Sequence, residues 1–317
     1  MHSWSIAQRQ RQKNKSTYSM RQSLNKITRT FGFIHSHPLA KKHLIQAYSR
    51  FVNWQLRTLF SNKLIPTAFI GSTKLLAKRG LTGITGNIYT GLHEFEDMCF
   101  LLHLLRESDT FFDVGANAGS YTILASGVCG SRTLSFEPSP DTYEILTKNV
   151  NLNRLSDKVK ILNSGVGNDQ IILTFTSGYD TTNHVIIEPT ANQKSISVPI
   201  VKLDSYLNEQ PILLKIDVEG FENEVIKGAE KLLAQNWVKA VIIELNGSGR
   251  RYGFNDTVIH QKLISLNFRP YQYEPFSRQL TKQKNYGAFN TIYIRDLRFV
   301  TARIKSAKTV RVFSQSI

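Results

Sequence analysis

The sequence predicts an α/β fold in which helices cover both faces of a mostly parallel sheet. From Glu94 onward, short apolar segments alternate with segments that have helical periodicity. The apolar segments, such as Ile212–Leu214, are continuous, which is typical of strands that are buried on both faces. A glycine-rich turn at residues 115–119 leads directly from the first strand into a helix.

The sheet is predicted to contain seven strands. We expect them at residues 110–114, 132–137, 158–162, 211–217, 239–245, 268–274 and 289–295. Helices are expected at residues 94–106, 119–128, 140–152, 222–234 and 256–266. An insertion with β-like segments at 171–176 and 195–201 separates the third and fourth strands of this sheet.

The positive charge of the chain lies at its two ends. The 317 residues carry a net charge of +16, and residues 1–80 contain 15 Lys or Arg but no Asp or Glu. Residues 295–317 hold six basic residues and one acid, so residues 94–294 have a net charge of −4. A basic surface outside an acidic core predicts attachment to a partner, and it does not favour nucleic acid as the substrate.

These shifts in composition divide the chain into four parts. They are a basic, poorly ordered tail (1–36), a basic helical and strand extension (37–93), the α/β domain (94–296) and a basic C-terminal tail (297–317). The first part also has the composition of a mitochondrial presequence, which is the alternative interpretation. Residues 65–90 contain apolar stretches broken by glycines and are predicted to form short strands or loops.

One segment of the extension has the periodicity of an amphipathic helix. Between residues 40 and 60, apolar side chains recur at helical spacing with basic residues among them. The apolar positions are Ile45, Tyr48, Val52, Leu56 and Leu59. Two hypotheses follow: the helix packs on the main domain, or it lies on anionic lipid or on an acidic partner.

The remaining composition indicates a cytoplasmic location, with peripheral membrane contact as a variant. Cys99 and Cys129 lie in apolar contexts and are interpreted as buried thiols in a reducing compartment. No secretory leader is recognisable near Met1, and no apolar run is long enough to cross a bilayer.

The turn after the first strand predicts a nucleoside-binding site. Residues 113–119 read D-x-G-x-N-x-G: Gly115 lets the backbone approach a ligand, and Gly119 permits close packing of helix on strand. A dinucleotide fingerprint would need glycine at position 117, where this chain has Asn117. Asp113 would repel a phosphate but suits an ammonium group, so the pattern favours S-adenosylmethionine over NAD.

Two further strand ends complete the predicted cofactor site. Glu137 ends the second strand, where a carboxylate can accept hydrogen bonds from a ribose diol. The third strand leads into Asn163 and Gly165, and this loop is expected to line the adenine pocket.

The end of the fourth strand supplies the predicted catalytic residues. Lys215 and Asp217 emerge there on one side of the sheet, and Glu219 follows. Asp217 and Glu219 are the candidates for the general base that would activate an acceptor hydroxyl, with His184 as a second candidate. Glu222 is interpreted equally well as a favourable charge at a helix start.

A divalent metal is a further hypothesis, although the pattern does not favour it. Asp217, Glu244 and Asn246 end neighbouring strands and could offer three oxygen ligands to Mg²⁺. The basic loop Gly247–Gly253 follows and is expected to face the substrate.

Together these segments resemble the FkbM family of methyltransferases. The resemblance spans about residues 85 to 295 and rests on four segments: Phe112–Tyr121, Phe136–Pro138, Leu203–Leu207 and Leu214–Glu222. It implies a Rossmann-like class I methyltransferase fold and O-methylation of a hydroxyl on a polyketide, sugar or glycan. It also implies that Asp113, Gly115 and Glu137 bind the cofactor and that the segment from Lys215 to Glu222 lines the active site.

Two other functions stay open at this point. A nucleic-acid methyltransferase could grip phosphates with its basic ends, but the fourth strand lacks the Asn/Asp-Pro-Pro-aromatic element that serves base amines. A scaffold that binds the cofactor without turnover is the other alternative. The acceptor pocket of such a fold is built from loops that carry no motif.

Overall fold

The computed structural model describes residues 27–176, 185–186 and 195–317. The chain begins with helices α1 (27–36) and α2 (Leu44–Arg57), the hairpin β1 (Ile65–Ala68) and β2 (Lys74–Ala77), and helices α3 (Thr82–Thr90) and α4 (Phe95–Leu104). The first half of the α/β part contains β3 (Thr110–Val114), α5 (Ser120–Ile123), β4 (Arg132–Phe136), α6 (Pro140–Leu152), β5 (Val159–Leu162), β6 (Gly165–Val166), β7 (Ile172–Thr176) and β8 (Ser195–Val201). The second half contains β9 (Leu213–Ile216), α7 (Glu222–Lys227), α8 (Glu230–Ala234), β10 (Ala240–Glu244), α9 (Asp256–Ser265), β11 (Arg269–Glu274), β12 (Gln279–Lys282), β13 (Asn290–Ile294), α10 (Leu297–Lys305), β14 (Arg311–Val312) and β15 (Gln315–Ser316).

The central sheet has eight strands in the order β12-β11-β13-β10-β9-β3-β4-β5. The five strands from β10 to β5 run parallel, whereas β13 is antiparallel to both β10 and β11. All seven predicted strands are present, but the predicted number was wrong because β12 adds an eighth. This strand lies at the edge with mostly exposed side chains, so its sequence carries no apolar pattern.

The core confirms that both faces of the sheet are covered. Successive residues of β9 belong to opposite clusters: Leu213 packs in the cluster that contains α4, and Leu214 packs in the one that contains α7, α8 and α9. This arrangement explains why β9 is apolar at every position except Lys215.

Two predicted helices differ in detail from the structure. The segment 222–234 forms two short helices because the chain turns at Gly228, where a Cβ would lie 2.0 Å from the carbonyl oxygen of Gly167. The carboxylate of Asp204 accepts hydrogen bonds from the backbone N–H groups of Lys231 and Leu232 and so caps α8. The predicted helix 119–128 consists of α5 followed by a π-helical turn over Leu124–Val128.

The prediction of strands or loops at residues 65–90 was only partly right. The hairpin β1–β2 is present, but residues 82–90 form α3 despite two internal glycines. Gly86 lies inside this helix because a Cβ there would be 2.4 Å from the imidazole of His93. Glycine is therefore required at position 86 by close packing and not by a turn.

The N-terminal segment shares a hydrophobic core with the α/β part. Ile34 of α1 and Trp54 of α2 are buried in one cluster with Ala118 and Ile145. The imidazole of His37 also hydrogen-bonds the carbonyl oxygen of Leu92 at 2.7 Å. Residues 27–36 are helical, so the predicted unordered tail does not extend over them.

The predicted C-terminal tail, residues 297–317, is folded. Val300 and Ile304 of α10 and Val312 and Ile317 of the terminal hairpin are buried against the core around α4. Its basic residues are on the solvent side of these elements or pair internally, as Arg303 does with Asp109 at 2.7 Å. The composition indicated a tail because charge dominates the count, whereas the few apolar residues decide the packing.

Helix α2 presents apolar side chains on both of its faces. Ala47 and Trp54 are buried, but Ile45, Val52 and Leu56, three of the five residues of the predicted stripe, lie on the exposed face. Among the residues that the structure describes, no helix combines the length and apolar content needed to cross a bilayer.

The packing of Trp54 predicts that α2 is part of the cooperative fold. Replacing Trp54 with alanine should lower the free energy of unfolding by about 3–5 kcal/mol because the cavity lies in a shared core. Val52→Ala on the exposed face of the same helix should change it by less than about 0.5 kcal/mol. Chemical denaturation measures both, and equal effects of the two variants would contradict this placement of α2.

Candidate active site

A pocket lies at the carboxyl ends of the parallel strands, as the fold requires. The loops after β3, β4 and β9 form most of its wall, and β6 and Glu244 at the end of β10 contribute further parts. Another part of the wall comes from α3 and from the residues that precede α4.

The loops after β3 and β9 touch backbone to backbone. Gly115 has φ +80°, and a Cβ there would lie only 1.8 Å from the carbonyl oxygen of Asp217. The N–H of Asp217 in turn donates to the carbonyl of Val114 at 3.0 Å. Gly115 therefore permits this crossing of loops, which adds a reason for glycine to the predicted approach of a ligand.

Asp113 lies beneath the pocket and does not line it directly. Its side chain is fully buried, and its Oδ2 accepts a hydrogen bond from the hydroxyl of Thr122 at 2.6 Å. Burial raises the pKa of this carboxyl, although the charge of Lys215 opposes the rise. Its Oδ1 is buried and has no hydrogen-bond partner among the described residues. Its predicted role toward an ammonium group stays a prediction.

Glu137 faces the pocket and joins three segments. Its two oxygens accept hydrogen bonds from the N–H groups of Asn117 at 2.8 Å and Ser139 at 2.9 Å and from the hydroxyl of Thr142 at 3.1 Å. Burial raises its pKa to about 7. A carboxylate offers about four acceptor positions, so about one remains for a ribose hydroxyl.

Asn117 and Gly119, in the turn after β3, both have left-handed backbone conformations. Asn117 has φ +50°, and its side-chain oxygen accepts a hydrogen bond from the N–H of Ala118 at 2.6 Å. Gly119 has φ +92°, and a Cβ there would lie 2.4 Å from the side chain of Leu146 on α6. The loop 115–119, called the glycine loop below, is thus fixed from both sides.

The third predicted loop is divided between support and pocket. Asn163 does not line the pocket; its amide donates to the carbonyl oxygens of Glu137 at 2.9 Å and Pro138 at 3.1 Å. Ser164 and Gly165 do line it, and the hydroxyl oxygen of Ser164 is buried without a partner among the described residues.

Three carboxylates meet at the ends of β9 and β10. Asp217, Glu219 and Glu244, called the carboxylate cluster below, have oxygens within 4.8 Å of one another. Burial, and then the neighbouring charges, raise the pKa of Glu219 to about 7 and that of Glu244 to about 8. Such a cluster attracts a cation, either a divalent metal ion or an organic one.

The predicted metal ligands need one correction. Asn246 is exposed, and its side-chain oxygen accepts a hydrogen bond from the N–H of Ser248 at 2.8 Å. Asn246 therefore stabilises a turn and is not part of the carboxylate cluster. The third member of that cluster, beside Asp217 and Glu244, is Glu219. A residue count along strand ends could not reveal this because Glu219 reaches the cluster through a left-handed backbone, with φ +56°.

Lys215 is the buried cation of the site. Its ammonium group lies 2.8 Å from Oδ2 of Asp217 and 4.8 Å from the centre of the Tyr121 ring. Burial acts to lower its pKa, but the charges of Asp217, Glu94 and Asp113 outweigh burial and raise it. Lys215 stays protonated and holds Asp217 in place.

Glu222 supports the loop rather than the pocket. Its Oε1 accepts hydrogen bonds from the N–H groups of Val218 at 3.1 Å and Gly220 at 3.2 Å, and its side chain is buried. Gly220 has φ +103°, and a Cβ there would lie 2.8 Å from the backbone of Ser248. The sequence alone did not distinguish a favourable charge at a helix start from a functional role for Glu222.

His184, the second candidate for the general base, lies outside the described residues.

Three residues that line the pocket, His93, Glu94 and Tyr121, were not among the predicted functional residues. Glu94 accepts a hydrogen bond from the hydroxyl of Tyr121 at 2.6 Å, and both line the pocket with His93. The available signal was that Glu94 is the first acidic residue of the chain. Asp97, one turn later, has a pKa that burial raises to about 7, and it accepts a hydrogen bond from Asn290 at 3.0 Å.

The crossing at Gly115 predicts a specific loss of stability. Gly115→Ala should lower the free energy of unfolding by at least about 3 kcal/mol because the new methyl group meets the backbone oxygen of Asp217, a residue whose own N–H is bonded to the carbonyl of Val114. Gly80→Ala is the matched control: its φ is +97°, but nothing lies within 4 Å of its Cβ. It should cost only about 1 kcal/mol from the backbone conformation. Equal losses of unfolding free energy for the two variants, measured by chemical denaturation, would contradict the close approach of Gly115 to the backbone of Asp217.

Comparison with known proteins identifies the domain. Residues 113–270, about half of the chain, match the family model of the methyltransferase FkbM domain. The hexuronic acid methyltransferase AglP of Haloferax volcanii is 29% identical over 150 residues, which cover 46% of this chain and 59% of that protein. Methyltransferase 1 of Beauveria bassiana is 26% identical over 195 residues, with coverages of 53% and 77%.

A third relative carries the name of the family. The 31-O-demethyl-FK506 methyltransferase FkbM of Streptomyces tacrolimicus is 28% identical over 171 residues, which cover 43% of this chain and 66% of that protein. The alignment with AglP, which covers 59% of that protein, spans less than two thirds of its length. The matched range holds the glycine loop, Glu137 and the carboxylate cluster, and the chain belongs to the FkbM family of methyltransferases.

Proposed function

We propose that the chain transfers a methyl group from S-adenosylmethionine to a hydroxyl of a sugar, glycan or polyketide-type acceptor. The charge of the pocket carries this proposal. Among the described residues that line it, five are carboxylates, namely Glu94, Glu137, Asp217, Glu219 and Glu244, and one is a lysine. An acidic pocket suits a ligand with a sulfonium and an ammonium group and disfavours the pyrophosphate of a dinucleotide.

The pocket also has unused polar atoms where a nucleoside ligand would lie. Ser164 Oγ and Glu244 Oε2, on two residues that line the pocket, are buried without partners among the described residues, and such groups cost free energy until a ligand or water satisfies them. Glu137 would hold the ribose, the glycine loop the amino-acid part, and the loop at Ser164 and Gly165 the adenine.

The carboxylate cluster supports proton removal from the acceptor. When bound, S-adenosylmethionine supplies an electrophilic methyl group. The acceptor oxygen would form a bond to the methyl carbon as the carbon–sulfur bond breaks, and the hydroxyl proton would pass to a carboxylate. Glu219 is the better base: its pKa is raised to about 7, and it has no hydrogen-bond partner among the described residues, whereas Asp217 is held by Lys215.

The relatives support an oxygen-rich acceptor. One is named for a hexuronic acid and another for 31-O-demethyl-FK506. The insertion carrying β7 and β8 adds Phe175 to the pocket wall, and Phe221 lies nearby, packed edge-on against Tyr252. Aromatic faces of this kind pack against the apolar faces of sugar rings and macrocycles.

The direct test is methyl transfer with isotopically labelled S-adenosylmethionine to a panel of sugars, uronic acids, glycans and hydroxylated macrocycles. We expect an alkali-stable methyl ether. Glu219→Gln should lower kcat by about 10²–10⁴-fold because it cannot accept the proton, while calorimetry shows cofactor binding within a few-fold of the wild type.

Two results would contradict the proposal. Absence of S-adenosylmethionine binding by the wild-type chain would exclude the proposed methyl transfer. An alkali-labile methyl ester as the product would show that a carboxyl, and not a hydroxyl, is the acceptor. Glu224→Gln is the matched control, since Glu224 lies on the same segment and pairs with Lys227 at 2.7 Å. It should leave kcat unchanged.

The raised pKa values predict how cofactor affinity depends on pH. Glu137 and Glu219, each with a pKa of about 7, are largely neutral below that pH and ionise above it. A sulfonium binds the ionised form more tightly, so the affinity should rise by about tenfold between about pH 6 and about pH 7.5. S-adenosylhomocysteine, which lacks the sulfonium charge, should show a smaller rise in the same calorimetric series. If the affinities for the two ligands depended equally on pH, attraction between the ionised carboxylates and the sulfonium would be excluded as the cause.

A further inference from the structure

The outer face of α2 carries a continuous row of exposed apolar side chains. Ile45, Val52 and Leu56 lie on one side of the helix at intervals of seven and four residues, and the row continues past the helix end. The exposed fractions of Ile45, Val52, Leu56, Leu59 and Phe60 are 87%, 51%, 64%, 53% and 94%. These five residues are called the apolar ridge below.

Folding of the chain does not account for this ridge. The inner face of α2 already packs through Ala47 and Trp54, and Arg50 is fixed at the carbonyl of Tyr89 and over the ring of Phe313. Apolar side chains are common on surfaces singly, but a contiguous row indicates a binding surface.

Helix α1 enlarges the same surface. Its Phe31 stacks on Tyr48 of α2 with ring centres 5.0 Å apart, and both Phe31 and Ile27 are exposed. The apolar surface therefore spans two neighbouring helices rather than one.

The charge around the ridge selects the partner. Residues 1–93 contain no acidic residue, and Arg57 and Lys63, which are close in sequence to the ridge, are exposed. Lys41 and Lys42 ahead of α2 are also exposed, and the Lys42 ammonium group lies 5.6 Å from the centre of the Phe276 ring. A second copy of this chain would bring the same positive charge against it, which disfavours a symmetric contact. An anionic bilayer offers both headgroup phosphates for the bases and acyl chains for the ridge.

We propose that the apolar ridge docks the chain on the surface of an anionic lipid bilayer. Helix α2 lies in the plane of the interface, the ridge enters the boundary between headgroups and acyl chains, and the flanking lysines and arginines contact phosphates. The attachment is peripheral and combines an apolar part with an electrostatic part, so salt weakens only the second.

Vesicle flotation with the full chain tests this directly. We expect the protein to float with phosphatidylcholine vesicles that contain phosphatidylglycerol and to bind pure phosphatidylcholine vesicles at least about tenfold more weakly. The triple variant Ile45→Gln, Val52→Gln, Leu56→Gln should lose at least about tenfold in partition, because three apolar side chains no longer enter the lipid. Glutamine keeps the helix propensity of the segment.

A matched triple variant controls for loss of apolar surface in general. Ile172→Gln, Val258→Gln and Leu297→Gln change exposed apolar residues outside the N-terminal segment, with exposed fractions of 72%, 55% and 43%. It should bind anionic vesicles like the wild type, and circular dichroism should show all variants folded.

Three outcomes would overturn the proposal. Equal binding of wild type and ridge variant would mean that basic residues alone attach the chain. Absence of flotation with anionic vesicles would exclude a lipid partner. A wild-type dimer that the ridge substitutions dissociate, with no lipid binding, would assign the ridge to contact between copies.

Discussion

The site depends on one buried ammonium group among carboxylates from three parts of the chain. Lys215 lies on a strand that is otherwise apolar, and it attracts Asp217 on its own loop, Asp113 on β3 and Glu94 before α4. Burial of a lysine is costly, and the cost is offset only while these acids surround it. The N-terminal segment is thus bound to the carboxyl edge of the parallel strands by electrostatics as well as by the shared core around Trp54.

Much of this arrangement could be predicted because strand ends and turns have local signals. The seven strands follow from buried apolar runs, the close packing at Gly119 from the turn, and the pocket's position from the parallel order. The side chain of Glu137 also faces the pocket as its place at a strand end suggested. In each case the residues that decide the structure are close together in the sequence.

The remaining features depend on contacts between distant segments. Glu94 and Tyr121 meet only after α4 packs on the sheet, and Glu219 replaces Asn246 in the cluster because of one left-handed residue. The terminal residues 297–317 have a charged composition, but the burial of a few apolar side chains such as Val300 determines their fold. Composition and periodicity report none of these contacts, since each is set by geometry across the sheet.

The insertion between β6 and β9 is anchored at both of its junctions to the same short turn. Gly228 packs on the backbone of Gly167 at one junction, and Asp204 caps α8 at the other. Among the described residues between these two anchors, Phe175 of β7 lines the pocket. A segment exchanged between Gly167 and Asp204 would keep both anchors, so the part of the pocket wall at Phe175 can vary while the glycine loop and Glu137 stay unchanged.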